Sequence, residues 1–467
     1  MSADQFPSHW KVVPLSEAVD ALIDYRGKTP KKTDHGIPLV TAKIVKGGTI
    51  LTAKEFIAEE DYDSWMVRGL PHAGDIVVTT EAPLGEVAQL SNANVALAQR
   101  IVTLRGAEGL LLNDYLRYVM QGAYVQGQLE SRASGSTVKG IKQSELRKVL
   151  LPIPPRHEQR GIASQLRSID DKIQLNHQIN QTLEQMAQAI FKSWFVDFEP
   201  VKAKIAALEA GGSEDDALLA AMQAISGKTP EDLSRLQAEQ AEQPEQYAEL
   251  RATAELFPSA MQESELGEIP EGWRVDQLSE LIQFNPRRSL KKGALAPYLD
   301  MKNVPTSGHL AENVVLREMN SGTKFINGDT LLARITPCLE NGKTAFVDFL
   351  ESGQVGWGST EYIVMKSKEP YPESISYVIA RDTSFRQHAI QSMTGTSGRQ
   401  RASAKALAEL PWIIYPQALA EAFNRIASPY LKLARNHGNE SKSLSAMRDS
   451  LLPKLLSGAL KITTVGT

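Results

Sequence analysis

Much of this sequence occurs twice, and that repetition constrains the fold more than any other feature. A second copy of one pattern lies about 260 residues downstream of the first. Trp10-Lys-Val-Val-Pro-Leu-Ser-Glu17 returns as Trp273-Arg-Val-Asp-Gln-Leu-Ser-Glu280. Lys31 and Lys32 return as Lys291 and Lys292, and Pro38 with Lys43 as Pro297 with Lys302. Gly74-Asp75 stands nine residues before Pro83, as Gly328-Asp329 stands nine before Pro337. Ser134-Gly135-Ser136 returns as Thr394-Gly395-Thr396, Pro155 as Pro416, and Leu183 as Leu444. Each copy runs from a globular segment into a long helical one. Two similar but non-identical domains on one chain suit the gripping of two different half-sites.

Composition narrows the class. At 467 residues the chain has length for two or more domains with sizeable cores. No run of eighteen apolar residues exists, so no membrane span is expected. Met1-Ser-Ala-Asp-Gln-Phe6 lacks the basic and apolar regions of an export signal. The single cysteine, Cys338, cannot form an internal disulfide or a zinc site, and a reducing cytoplasm is expected. The net charge of −4 argues against a nucleic-acid binder until it is located. Residues 199–268 hold 5 lysines and arginines against 15 acids, leaving the rest of the chain at +6. Residues 1–155 balance at 17 against 17, so any basic surface there must be local.

Residues 1–155 read as mixed α/β. Runs such as Asp75-Ile-Val-Val-Thr-Thr80 and Arg100-Ile-Val-Thr-Leu104 alternate with Gly/Pro turns, and Asn113 to Gln128 reads as a helix behind an Asn/Asp cap. Pro152-Ile-Pro-Pro155 is expected to end the domain, because successive prolines stop helix and ladder alike. The period then changes. Ile162, Leu166, Ile169, Ile173, Asn176, Asn180, Leu183, Ala187, Ile190 and Trp194 follow an unbroken 4-3-4-3 spacing, a heptad seam. At ~1.5 Å per residue the helix would be roughly 55–60 Å long, and so narrow a stripe needs a partner helix. Phe423, Ile426, Tyr430, Leu433, Leu444, Met447 and Leu451 supply one, with a kink or break expected at Pro429 and Gly438. Asn176 and Asn180 fall on core positions, where buried polar groups fix register; facing solvent is the alternative. Residues 199–268 read as a solvated helical excursion, with stretches at Asp215–Ser226 and Pro230–Glu242 broken at Gly211-Gly212 and Pro244; an acidic surface for a partner protein, or a guard against stray nucleic acid, is the alternative.

Catalytic signatures are missing from the sequence. It holds no phosphate-binding Gly-x-x-x-x-Gly-Lys-Ser/Thr loop and no strand-linked Gly-x-Gly-x-x-Gly turn. Asn285-Pro-Arg-Arg288 has arginine where an adenine methyltransferase needs an aromatic to stack on a flipped base. The eight histidines show no metal-ligand spacing, and Asp300-Met-Lys302 lacks the upstream acid of a nuclease site.

The chain carries groups suited to polyanions instead. Tyr25-Arg-Gly-Lys-Thr-Pro-Lys-Lys32 and Asn285-Pro-Arg-Arg-Ser-Leu-Lys-Lys292 are basic loops at equivalent places in the two copies. Arg26, Lys28, Lys31 and Lys32, with Arg287, Arg288, Lys291 and Lys292, can neutralise phosphates and set position. Ser134-Gly-Ser-Thr-Val-Lys-Gly140 and Thr394-Gly-Thr-Ser-Gly-Arg-Gln-Arg401 form a second pair. Small residues there (Ser134, Ser136, Thr396) let backbone approach phosphate, while Lys139, Arg399 and Arg401 supply charge and base-edge donors. Thr79, Thr80, Gln99 and Arg100, with Arg334, Asn341, Lys343, Ser359 and Thr360, are further candidates. Solvated charge clusters and plain Ser/Gly turns remain the competing readings. Trp10 and Trp273 read as core anchors.

These residues resemble one family, the specificity subunits of type I restriction–modification systems. The resemblance covers nearly the whole chain. It rests on Trp10 with Leu15-Ser-Glu17, Ser134-Gly-Ser-Thr137, Leu151-Pro-Ile-Pro-Pro155, Glu158-Gln-Arg-Gly-Ile162 and Ser193-Trp-Phe-Val-Asp-Phe-Glu-Pro200. The second copy adds Ser359-Thr-Glu361, Thr394-Gly-Thr396 and Leu451-Leu-Pro-Lys-Leu-Leu-Ser-Gly458. The resemblance implies a mixed α/β (α+β) chain with two tandem target-recognition domains, separated by two long antiparallel coiled-coil helices in a pseudo-two-fold internal repeat. Residues 1–155 and 269–416 would be the recognition domains, 156–198 and 417–460 the helices, 199–268 the acidic connector and 461–467 a tail. It further implies double-stranded DNA with a bipartite target as ligand, and two modification subunits docking around Glu158, Gln159, Ile162, Trp194, Phe195 and Leu455. S-adenosylmethionine would be held by those partners, and ATP with magnesium by restriction–translocase subunits. This chain would hold no metal or cofactor and no active site. One departure stands out: Pro416-Gln-Ala-Leu-Ala-Glu421 lacks the Pro-Pro and Glu-Gln of the first copy. A two-headed coiled-coil adaptor, or the recognition part of a fused methyltransferase or nuclease, are the alternatives.

Overall fold

The structure, a computed structural model, describes residues 6–238, 244–396 and 399–461. The chain divides into two units, residues 1–174 with 441–467 and residues 175–440. No helix among the described residues is long and apolar enough to cross a membrane.

In the first unit a ribbon pairs β1 (Lys11–Pro14) with β6 (Leu150–Ile153). A four-stranded sheet runs β2-β5-β3-β4, formed by β2 (Val19–Asp24), β3 (Ile76–Thr80), β4 (Leu84–Gln89) and β5 (Ile101–Gly106). Helices α1 (Asn113–Gln121) and α2 (Ala123–Arg132) cover it. Tyr115, Leu116, Val119 and Met120 face the core, and Ile76, Val78, Val102 and Leu104 meet them from the sheet. The expected single helix from Asn113 is broken because Gly122 is extended, and a Cβ there would lie 2.6 Å from Leu456. Asn113 is not its cap either; its Oδ1 accepts from Gly106 N. Pro152 does not end the ladder but lies within β6, paired with Val12, where a ribbon of two strands leaves one side without ladder bonds.

The second unit repeats this order. β7 (Arg274–Gln277) pairs with β12 (Pro411–Ile414). A sheet runs β8-β11-β9-β10, formed by β8 (Ile282–Phe284), β9 (Thr330–Ala333), β10 (Thr344–Phe346) and β11 (Tyr362–Ser367). Helices α8 (Ser374–Arg381) and α9 (Thr383–Gln391) pack on it. The sequence repeat is therefore a repeat of strand order.

Two helices of 40 residues, α3 (Arg156–Phe195) and α10 (Gln417–Leu456), contribute to both units. In the first unit Ile162 and Leu166 share a core with Leu455 and Leu456. In the second, Phe191, Trp194 and Phe195 place their rings 5.8, 6.2 and 5.7 Å from Phe423. Between these clusters Asn176 Nδ2 donates to Glu440 (2.8 Å) and Asn180 Nδ2 to the Ala434 carbonyl (3.0 Å). Partner numbers fall along α10 as they rise along α3, so within this unit the pair is antiparallel. The two asparagines do lie in the seam.

The α10 seam differs from its expected phase. Leu431, Ala434 and Ser441 are buried, while Leu433 and Met447 are exposed. Nor does the helix break at Pro429 or Gly438. Pro429 is exposed, so the carbonyl it leaves unpaired can turn to water, and Gly438 admits Leu310 where a Cβ would come within 2.5 Å.

The acidic connector is not a solvated excursion. Helices α4 (Glu199–Glu209), α5 (Glu214–Ser226), α6 (Pro230–Ala238) and α7 (Pro244–Glu255) precede a hairpin of Met261–Ser264 and Gly267–Pro270. Leu218, Ala221, Met222, Leu233, Tyr247 and Ala254 form its own small core. The break at Gly211-Gly212 is followed by a capping box, Ser213 with Asp216. The part of the expected second stretch beyond Ala238 lies outside the described residues.

Burial sets the expected cost of changes in the pair. Trp194→Ala should destabilise the protein by about 3–5 kcal/mol, and Met447→Ala by less than about 0.5, as read from denaturant midpoints. Equal costs would contradict this seam.

Candidate nucleic-acid interface

The two matched motifs fold alike. In the first unit Ser134 and Gly140 bridge one another, and Gly140 also bridges Glu81 in the turn after β3. In the second unit Thr394 bridges Arg401, and Arg401 bridges Ile335 after β9. Each motif is thus a closed loop fastened to the same sheet turn, and that turn contains a cis proline in both units, Pro83 and Pro337. Gly135 and Gly395 take positive φ (118° and 128°), which closes each loop and favours glycine. Ser397 and Gly398 of the second motif lie outside the described residues.

An ion pair stands beside each loop, with its polarity reversed. Arg100 Nε reaches Glu81 at 2.9 Å in the first unit. In the second, the position preceding the equivalent strand is Glu361, and Arg401 grips it through Nε and NH2 at 2.7–3.0 Å. The Arg401 guanidinium holds the Glu361 carboxyl below the usual carboxylate range. Ser359 Oγ accepts from Glu361 N, while Thr360 and Asn341 are exposed.

The structure sorts the remaining candidates into exposed and braced. Lys28, Lys31, Ser134, Ser136 and Lys139 are exposed in the first unit, as are Arg287, Lys291, Lys292, Thr396 and Arg399 in the second. Lys32 is exposed but pairs with Glu55 at 2.9 Å, and Gln99 is half-buried. Other residues turn inward. Thr79 and Thr80 are buried in β3, and the Thr79 hydroxyl accepts from Glu86 N, so neither hydroxyl is a surface group. Arg288 pairs with the buried Asp329 (2.7 Å), just as Arg105 pairs with Asp75 (2.8 Å) in the first unit. Burial outweighs that partner and pushes the Asp329 carboxyl up. Lys343 Nζ donates to the Met301 carbonyl (2.6 Å). These side chains hold loops in shape.

Two residues are part brace, part donor. Arg26 NH1 donates to the Ile141 carbonyl (2.7 Å) and its Nε meets Asp24, while NH2 is buried without a partner among the described residues. It lines a cleft of about 260 Å³ with Asp24, Arg68 and Gln143. Arg334 likewise has its Nε buried and unpartnered among the described residues. Arg334 lines a cleft of about 320 Å³ with Arg288, Lys324, Thr323 and Thr360. Sequence reasoning missed Lys324 and Arg68; each is a lone basic residue outside any motif, and only the fold brings it to the arginine. Both clefts are lined by guanidinium groups, the first beside the Asp24 carboxylate.

The docking candidates are interior. Gln159 is fully buried, holding Leu112 N and the carbonyls of Leu110 and Pro154. Ile162, Trp194, Phe195 and Leu455 belong to the cores. Glu158 is half-buried and accepts from Trp10 Nε1 (3.0 Å), with His9 2.8 Å away. Glu158, Ile162 and Leu455 nevertheless line a cleft of about 460 Å³ with Trp10, His157 and Leu460. Exposed apolar residues on the long helices are Leu175, Met186, Leu433 and Met447.

Replacing Lys291 and Lys292 with Ala should weaken DNA binding to all sequences alike and lower the salt slope by about 0.9 for each phosphate no longer neutralised. Fluorescence anisotropy across salt concentrations measures both; unchanged affinity and slope would remove this loop from the DNA surface.

Comparison with known proteins identifies the family. Residues 7–185 match the type I restriction modification DNA specificity domain. The HindI specificity subunit of Haemophilus influenzae is 32% identical over 384 residues, covering 79% of each chain. The MjaIX specificity subunit of Methanocaldococcus jannaschii is 23% identical over 98% of this chain and 95% of that relative. The crystal structure of the S subunit of a type I restriction–modification system from M. genitalium covers 97% of both chains at 14% identity, with a TM-score of 0.49. The chain belongs to the type I restriction enzyme specificity subunits, the DNA-recognising and non-catalytic members of those systems.

Proposed function

We propose that each repeat reads one half of a bipartite DNA target in the major groove, and that the α3–α10 pair acts as the ruler between the half-sites. The observation that carries this reading is the doubled loop architecture. The same strand order presents the same closed loop, beside a basic loop and an arginine-lined cleft, in both units. Exposed lysines and hydroxyls would supply phosphate contacts, while Arg399, Arg334 and, by exchanging its Glu81 partner, Arg100 would serve base edges or narrowly held phosphates. The two loops differ in charge and length, which suits two different half-site sequences. Half-sites read from one side of a duplex must lie about one helical turn apart or a multiple of it, so a rigid spacer fixes the gap.

The exposed apolar residues of the long helices suit docking of two modification subunits better than the buried Trp194, Phe195 and Leu455 do. Those partners would bring S-adenosylmethionine and methyl transfer, and restriction subunits would bring ATP, magnesium, translocation and cleavage. The two docking places would not be identical. Aligning Pro416 on Pro155 puts Leu419 where Glu158 stands, so Trp273 Nε1 is buried without a partner among the described residues, whereas Trp10 Nε1 is held.

Modified-base sequencing of host DNA, with and without this chain beside its modification subunits, tests the proposal. N6-methyladenine at a split motif with a fixed spacer is the expected result, and the motif supplies the target. Unchanged methylation despite active modification subunits would reject the reading.

A further inference from the structure

Apolar packing is non-directional and tolerates small slides, whereas a buried carboxylate that accepts from several fixed donors does not. In each unit α3 supplies a carboxylate of this kind to the helix packed against it.

In the first unit Asp170 is nearly buried. Its Oδ2 accepts from Arg117 NH2 (2.9 Å) and Tyr118 OH (2.9 Å) on α1, and its Oδ1 accepts from Arg448 NH1 (3.1 Å) on α10. One side chain thus ties the sheet domain's first helix to both long helices. In the second unit Glu184 is buried and accepts from Tyr377 OH (2.6 Å) on α8. Arg381, also on α8, lies 3.7 Å from the same carboxylate and donates through Nε to Tyr377 OH (3.2 Å). The rest of its guanidinium donates to the carbonyls of Thr306 (3.1 Å), Gly342 (2.8 Å), Thr344 (2.9 Å) and Gly308. Gly342 and Thr344 flank the bracing Lys343, while Thr306 and Gly308 follow Met301, the residue it braces, so the clamp runs from the long helix to the turn that carries the exposed Asn341.

The two clamps share a tyrosine. Tyr118-Val119 and Tyr377-Val378 are the same dipeptide, 259 residues apart, in the helix that follows the sheet in each repeat. The arginines differ, standing one residue before the tyrosine in the first copy and four after it in the second. Burial pushes the Tyr118 and Tyr377 hydroxyls well up, so both stay protonated as donors.

We propose that Asp170 and Glu184 are positioning residues that lock each recognition domain to the long helices, and that these locks enforce the spacer length. This rests on the bipartite reading above. Changing the spacer by one base pair moves a half-site by about 3.4 Å and about 35°. Accommodating it requires a domain to rock on its helices, and the clamp resists that motion. Base discrimination within a half-site belongs to the loops and does not involve the clamp.

The test uses the complex of this chain with its modification subunits and measures methylation kcat/KM on targets with the natural spacer, one base pair less and one more. Tyr118→Phe and Tyr377→Phe keep the ring and remove one donor each, while Glu184→Gln and Asp170→Asn keep the shape and remove the charge. The expected result is that preference for the natural spacer falls at least about tenfold, while discrimination against a mismatched half-site base stays within about threefold of wild type. Unchanged spacer preference in all four variants would overturn the proposal. So would a parallel fall of spacer and base discrimination, which marks general loosening. A wild-type complex with no spacer preference would instead overturn the bipartite reading on which the proposal stands.

Discussion

Pairing of α3 with α10 is the constraint from which the rest of the structure follows. A helix of 40 residues with a narrow apolar stripe has no stable existence alone in water, and its burial must come from a partner and from whatever packs on the pair. In the first unit Ile162 and Leu166 enter the same core as the sheet residues Val78 and Val102. In the second, Trp194 and Phe195 enter the same core as Trp273 and Ile363. The helices are therefore part of each domain's interior as well as a connection. The Asn176 and Asn180 bonds fix which residues face one another, because a slide would strand one buried and one half-buried amide.

Divergence within the repeat follows a simple rule: architecture is kept and chemistry is moved. Asp75 and Asp329 stand at the same turn, yet one takes its arginine from β5 and the other from the loop after β8. The ion pair beside the closed loop keeps its place while its charges swap, Arg100 with Glu81 against Glu361 with Arg401. Buried or half-buried charges need partners, but the partner can come from any element that reaches the site. Two domains can thus keep one backbone and present different surfaces.

This explains how much was legible in the sequence. The repeat, the α/β character and the α3 seam could be read because they are periodic, and periodicity is a local property. Spacing alone places the asparagines correctly. It does not place the phase of α10, because Pro429 and Gly438 look like interruptions; burial of Leu431 and Ala434 and entry of Leu310 at Gly438 depend on tertiary packing. The basic loops are visible as composition, but which of their residues are braced is not. Arg288 differs from Arg287 only through Asp329, 41 residues away, and Lys343 from Lys291 only through a carbonyl at Met301. Most docking candidates that stand out as motif residues are buried, since Gln159 and Trp194-Phe195 serve the junction between sheet domain and helix, while the half-buried Glu158 holds Trp10 there.

The division between braced and exposed charge also bears on how such a chain can change its target. Arg288, Lys343 and the Arg401–Glu361 pair shape the loops without reaching far from them, and removing one leaves a partner unpaired. Lys291, Lys292, Lys139 and Arg399 are exposed and brace no loop among the described residues, so they can vary at little cost to folding. The closed loop is fastened at its two ends, by Ser134 with Gly140 and by Thr394 with Arg401. A loop tied at its base can change sequence and length while the sheet beneath it stays intact. The acid excess of residues 199–268 is confined to the connector, so the net −4 of the chain does not by itself describe the charge of either loop.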